Sequence, residues 1–88
     1  MIHINAKIWG EVQGIGLRYM AKVKAGKFDI KGFIRNDPDN TVYMEIEGKK
    51  EAVEGFLNWL QRDFKQAKIT RFESEKGIVE NFKNFIAK

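Results

Sequence analysis

The stretch Gly10-Glu11-Val12-Gln13-Gly14-Ile15-Gly16-Leu17-Arg18, GEVQGIGLR, separates two kinds of periodicity. Before it, Ile2, Ile4, Ala6 and Ile8 alternate with His3, Asn5, Lys7 and Trp9, the period of a half-buried strand. After it, Leu17, Ala21, Ala25 and Phe28 recur at helical spacing, with Gly26 near the end. A strand therefore gives way to a helix across this stretch. That helix starts without Ser, Thr, Asp or Asn to cap its orphan N–H groups. It also carries Arg18 in its first turn, where the macrodipole prefers an acidic side chain.

Further along, Ile30, Gly32 and Ile34 alternate with Lys31, Phe33 and Arg35 and end at Asn36 and the breaker cluster Asp37-Pro38-Asp39-Asn40. Val42, Met44 and Ile46 then alternate with Thr41, Tyr43, Glu45 and Glu47 up to Gly48, so the two runs read as a hairpin. Residues 49 to 65 put Val53, Phe56, Leu57, Leu60 and Phe64 on one face of an amphipathic helix. Ile69 and Phe72 fall on opposite parities, which predicts a bulge or a late start in the fourth strand. The run from Ile78 to Ile86 is expected to form a further strand.

The order is βαββαβ plus a terminal strand, which predicts an α+β, ferredoxin-like sandwich: two helices on one face of an antiparallel or mixed sheet of four to five strands. Right-handed crossovers make strands one and two parallel, with strand three between them. Their carboxyl ends then share a rim, so the loop after Trp9 and the strand-ending Asn36 meet.

The totals suit one domain spanning residues 1–88. With 88 residues, 43% of them hydrophobic, the chain can bury a modest core. It has no cysteine, so neither a disulfide framework nor a thiolate nucleophile is available. The N-terminus MIHINAKIWGE has no basic-then-apolar leader pattern, and no apolar run approaches the ~20 residues of a membrane span. A cytoplasmic monomer with no membrane partner is expected. A net charge of +4 favours anionic partners without choosing among them.

The uncapped helix start acquires a purpose if an anion binds there. Gly10, Gly14 and Gly16 allow positive φ, so consecutive N–H groups can turn inward as an anion-binding nest, and a phosphate would replace the missing cap. Arg18, unfavourable beside the dipole alone, becomes favourable with an anion accepting its fork. The same residues also suit a tight turn with a solvent-facing arginine. The stretch lacks the Gly-Lys-Ser/Thr ending of a nucleotide P-loop, and Tyr19 stands where a dinucleotide fingerprint has its third glycine.

GEVQGIGLR, followed by Ala25, Gly32 and the segment GFIRNDPDNTV, closely resembles the acylphosphatase signature: a Gly-x-Val-Gln-Gly-Val-x-Phe-Arg loop, then a Gly-x-Val-x-Asn strand end and an Asp-Gly turn. The resemblance spans nearly the whole chain. It implies hydrolysis of carboxyl-phosphate anhydrides, with acyl phosphate and inorganic phosphate as ligands and with neither metal nor cofactor. By position, Arg18 and the main-chain amides of Gly10, Glu11, Val12, Gln13, Gly14, Ile15 and Gly16 would hold the phosphoryl group, and Asn36 would orient the attacking water. The alternative is a non-catalytic anion- or RNA-binding module of the same fold.

The chain departs from the signature at a few positions. Leu17 replaces Phe, Ile15 replaces Val, Asp29 stands at a helix-ending glycine and Asn40 at the turn glycine. Asp and Asn both tolerate left-handed backbone geometry. The Glu11 carboxylate would oppose phosphate binding unless turned outward.

The lone histidine, His3, lies early in strand one, far from the loop, and reads as a sheet-surface or structural residue. Trp9, Phe33 and Tyr43 share the non-core parity of their strands, which suits a covered side-chain cluster better than a base-stacking platform. An RNA-recognition reading also wants its aromatic signature on strand three, where this chain has TVYMEIE with Glu45 and Glu47 on the stacking face. Nucleic acid is therefore not the expected partner.

Overall fold

A computed structural model describes all residues, Met1 to Lys88. Strand β1 (Ile2–Glu11) leads into helix α1 (Leu17–Phe28), and the hairpin follows as β2 (Lys31–Asn36) and β3 (Val42–Gly48). Helix α2 (Lys50–Asn58) runs into a π-helical turn (Trp59–Asp63), then come β4 (Lys68–Gly77) and β5 (Phe85–Ala87). The sheet order is β4-β1-β3-β2-β5. β3 pairs antiparallel with both β1 and β2, so those two are parallel, and β5 joins β2 in parallel. This is the ferredoxin-like α+β arrangement expected from the element order.

The predicted alternation sets the core. Ala6, Ile8, Ile34, Val42, Met44 and Ile46 point from the sheet toward Leu17, Ala21 and Ala25 of α1 and Val53 and Phe56 of α2, all buried. Asp29 ends α1 in the left-handed region at φ 57°, its N–H donating to the Ala25 carbonyl, and Asn40 adopts φ 68° in the hairpin turn.

The register of β4 shifts between Trp9↔Arg71 and Gly10↔Ile69, so Thr70 is an extra residue opposite β1. That bulge lets Ile69 and Phe72 both pack against the core despite their odd spacing. Gly10 lies beside it at φ 127°, where a Cβ would stand 2.0 Å from the Lys68 carbonyl oxygen. Only glycine fits there.

Two expectations need correction. The single helix over 49–65 is interrupted by the π turn, in which the Phe64 N–H donates to the Trp59 carbonyl at 2.9 Å. The wider turn rotates the apolar face, so Trp59 is buried with Leu60 and Phe64, whereas Leu57 is only half-buried.

The run from Ile78 to Ile86 is not one strand: only Phe85–Ala87 pairs, and residues 78–84 cross the sheet face opposite the helices. The crossing is forced, because β4 and β5 are opposite edges of the sheet. Its anchor is buried Glu47 on β3, whose carboxylate accepts the N–H groups of Phe82, at 3.0 Å, and Glu80. The Phe82 ring lies against His3 and edge-on to Phe33. The crossing segment thus covers part of the face that Phe33 and Tyr43 share, and Arg35 stacks over the Tyr43 ring at 4.5 Å. Trp9 is covered by Lys7 and Arg71. No helix is long and apolar enough to cross a membrane.

Candidate active site

The loop between β1 and α1 and the end of β2 enclose a small hollow of about 150 Å³. Val12, Gly14 and Gly16 form its loop side, Leu17, Arg18 and Tyr19 its helix side, and Asn36 its sheet side. Gly14 and Gly16 have φ 73° and 79°, and Gly16 begins α1 with no side-chain cap and no acidic residue in the first turn. The first-turn N–H groups of α1 are therefore available to a ligand in the hollow. A Cβ at Gly14 or Gly16 would meet nothing within 4 Å, so these glycines answer to backbone conformation and not to crowding.

Arg18 sits at the exposed rim, its Nη1 donating to the Lys88 carbonyl at 2.5 Å. That carbonyl is held in place because the Lys88 N–H donates to Ile34 of β2 at 2.8 Å. Asn36 is half-buried at the last rung of the hairpin, opposite Val42. Arg18, Asn36 and the helix start, from two distant parts of the chain, thus line one hollow.

Other residues of the expected cradle lie around it. Gly10 is in the bulge with β4, and Glu11, 74% exposed, turns toward Lys68 at 3.6 Å. Ile15 packs against the core. Gln13 directs its side chain away from the hollow: its Nε2 donates to the carbonyls of Asp37 and Thr41. Tyr19, to which the signature assigns no role, lines the hollow while 71% exposed. Its place directly after Arg18 in the first helical turn is the signal that points to it.

A second polar cluster lies at the start of β1, about 20 Å from the rim at the usual rise of ~3.3 Å per strand residue. His3 is 3% exposed. Its Nδ1 donates to Glu47 at 2.7 Å, and its Nε2 donates to Asn5 Oδ1 at 2.7 Å with Glu45 at 3.1 Å. Burial lowers the His3 pKa, but the bonds to Glu47 and Asn5 outweigh it and hold the ring above its ordinary 6.5. Burial likewise raises the Glu47 carboxyl, yet the bonds from Glu80, His3 and Phe82 bring it below 4.5.

One ligand atom each from His3, Glu45 and Glu80 lies within 4.8 Å of the others. With both ring nitrogens of His3 donating to oxygens, the arrangement is a charged tie that fastens the crossing segment to the sheet. Its histidine is structural, as its strand position indicates. At the hairpin turn, Asp39 is held down to about 2, first by the Thr41 hydroxyl and then by Lys7.

Comparison with known proteins bears on the hollow. The family model described as Acylphosphatase matches residues 4–86. An acylphosphatase of Thermococcus kodakarensis is 34% identical over 84 residues, covering 96% of this chain and 92% of that protein. One of Archaeoglobus fulgidus is 32% identical over 85 residues, covering 97% and 96%. The crystal structure of acylphosphatase from Bacillus subtilis superposes with a TM-score of 0.91 at 25% identity, covering 100% of this chain and 99% of that one.

Proposed function

The chain belongs to the acylphosphatase family of hydrolases, and from that premise we propose how it works: it hydrolyses acyl phosphates to a carboxylate and inorganic phosphate at the hollow between β1, α1 and β2. In this reading the N–H groups of the loop from Gly10 to Gly16 and of the first turn of α1 bind the phosphoryl oxygens. Arg18 closes over them with its planar fork. Asn36 accepts from the attacking water and orients its lone pair toward phosphorus. The water oxygen–phosphorus bond forms as the phosphorus–acyl oxygen bond breaks, its electron pair leaving on the carboxylate and the water proton passing to phosphate or solvent.

Such a transition state is loose and spreads charge over the equatorial oxygens, so positioning and charge stabilisation supply most of the rate. A carboxylate leaves without being protonated. The reaction therefore asks for neither a general acid nor a Lewis acid, in keeping with a rim that carries no histidine or cysteine.

The observation supporting this most strongly is that Arg18, Asn36 and the uncapped glycine-led helix start line one small hollow. The test is phosphate release from acetyl phosphate with and without EDTA. Full turnover in chelator is expected. Arg18→Gln and Asn36→Ala, both folded, should each lose about 100-fold or more, the loss usual when a preorganised charge-stabilising donor is removed. Strict metal dependence would defeat the mechanism, and wild-type rates in either variant would defeat its residue roles.

A further inference from the structure

The loop that faces the hollow and the β2–β3 turn are distant in sequence, and one side chain joins them. Gln13 Nε2 donates to the Asp37 carbonyl at 2.9 Å and to the Thr41 carbonyl at 2.8 Å, using both protons of its amide. Neither carbonyl needs it. The Asp37 N–H already donates to Thr41 O at 2.9 Å, and the Asn40 N–H donates to Asp37 O at 3.2 Å. The turn is closed without Gln13, so its two bonds rescue no orphaned group. What they add is a link between segments.

Both ends of that link are stiff. On the turn side, Asp39 accepts from the Thr41 N–H and hydroxyl and pairs with Lys7 of β1 at 3.1 Å. On the loop side, Val12, next to Gln13, is buried in the core. Asp37 is the residue after Asn36, so any shift of the loop against the end of β2 must break both bonds.

Resting on the function proposed above, we infer that Gln13 is a positioning residue: its side-chain amide fixes the separation between the phosphate-binding loop and Asn36. It thereby sets where the oriented water stands relative to phosphorus. A brace of this kind acts on kcat, because misplacing reacting groups by about 1 Å costs on the order of 100-fold in rate. It acts little on ground-state phosphate affinity, because Arg18 and the loop amides remain.

The experiment compares wild type, Gln13→Leu and Gln13→Glu for acetyl phosphate turnover and for competitive inhibition by inorganic phosphate, with folding checked by circular dichroism. Gln13→Leu, which keeps the bulk and removes the donors, should lower kcat at least tenfold while the phosphate inhibition constant changes less than about threefold. Gln13→Glu should be equally poor at pH 8. Relative to wild type it should recover as pH falls toward about 4, through the ordinary carboxyl range, when its protonated carboxyl regains one donor. That acid rescue is a signature that a merely stabilising side chain would not produce.

Wild-type kcat in a folded Gln13→Leu overturns the inference, as does a rise in the inhibition constant that matches the rate loss. Should Gln13→Leu unfold, the pH-dependent ratio for Gln13→Glu decides: a flat ratio overturns the inference. Absence of turnover in wild type itself would refute the function on which the inference rests, a different failure from a normal wild type with an indifferent Gln13.

Discussion

Substituting Glu47 by alanine removes one acceptor from three donors at once: His3 Nδ1 at 2.7 Å, the Phe82 N–H at 3.0 Å and the Glu80 N–H. Hydrogen bonds to charged groups contribute about 1.5–3 kcal/mol each when buried. The His3 bond is buried and belongs in the middle of that range, about 2 kcal/mol. The two N–H groups of the crossing segment can be rehydrated, which leaves roughly 1 kcal/mol apiece. The expected loss is about 3–5 kcal/mol, a large fraction of the 5–15 kcal/mol typical of a domain.

The pH dependence carries a sign. His3 is raised above 6.5 in the fold, so its contribution is complete below pH 6.5 and disappears as pH rises through its folded value. Glu47 is lowered below 4.5, so its contribution is complete above pH 4.5 and disappears as pH falls through its folded value. The pair is therefore worth most between about pH 4.5 and 6.5, and the destabilisation of Glu47→Ala should be larger at pH 6 than at pH 9. Guanidinium unfolding followed by circular dichroism across pH 4 to 9 measures both quantities. A loss below about 1 kcal/mol, or one independent of pH, would show that the crossing segment is held by something other than this tie.

Gly10→Ala should destabilise the fold by more than about 3 kcal/mol, since its Cβ would overlap the Lys68 carbonyl at 2.0 Å. Gly14→Ala, with open space and φ 73°, should lose only the 1–2 kcal/mol or so of a left-handed L-residue. Thermal unfolding of the two variants orders them, and the reverse order would contradict the assignment of the bulge. Glu11→Gln should change KM for acetyl phosphate by less than about twofold, because the carboxylate faces solvent and Lys68 at 3.6 Å. A several-fold fall in KM would mean that Glu11 repels the bound phosphoryl group after all.

Local pattern carried most of the fold. The alternation in β1, β2 and β3 and the spacing of Leu17, Ala21 and Ala25 each reflect burial of one face, and burial dominated there. The opposite parities of Ile69 and Phe72 mark a bulge or a late start, and the register shift shows that it is a bulge. The π turn left no such mark, because Leu57 and Trp59 are both apolar and either could line the buried face of a helix.

His3 reads as structural from its strand position, but the burial it shares with Glu47 leaves no mark in the sequence. Their burial comes from residues 78–84 passing over the far side of the sheet, and no local period records a segment arriving from another edge. At the candidate site, the meeting of Arg18 with Asn36 followed from parallel β1 and β2 alone. The sideways turn of Gln13 did not, since its partners are main-chain carbonyls that any sequence would offer.

In the proposed mechanism, phosphate binds to the main chain at the start of α1 under Arg18. Titrating ¹⁵N-labelled protein with inorganic phosphate and following backbone amide shifts tests it directly. Saturable shifts are expected, concentrated in the amides of Gly14, Ile15, Gly16, Leu17 and Arg18, with a response at Asn36 and abolition in Arg18→Gln. Shifts that never saturate, or that centre on other cationic surfaces while Gly14 to Arg18 stay unmoved, would contradict it.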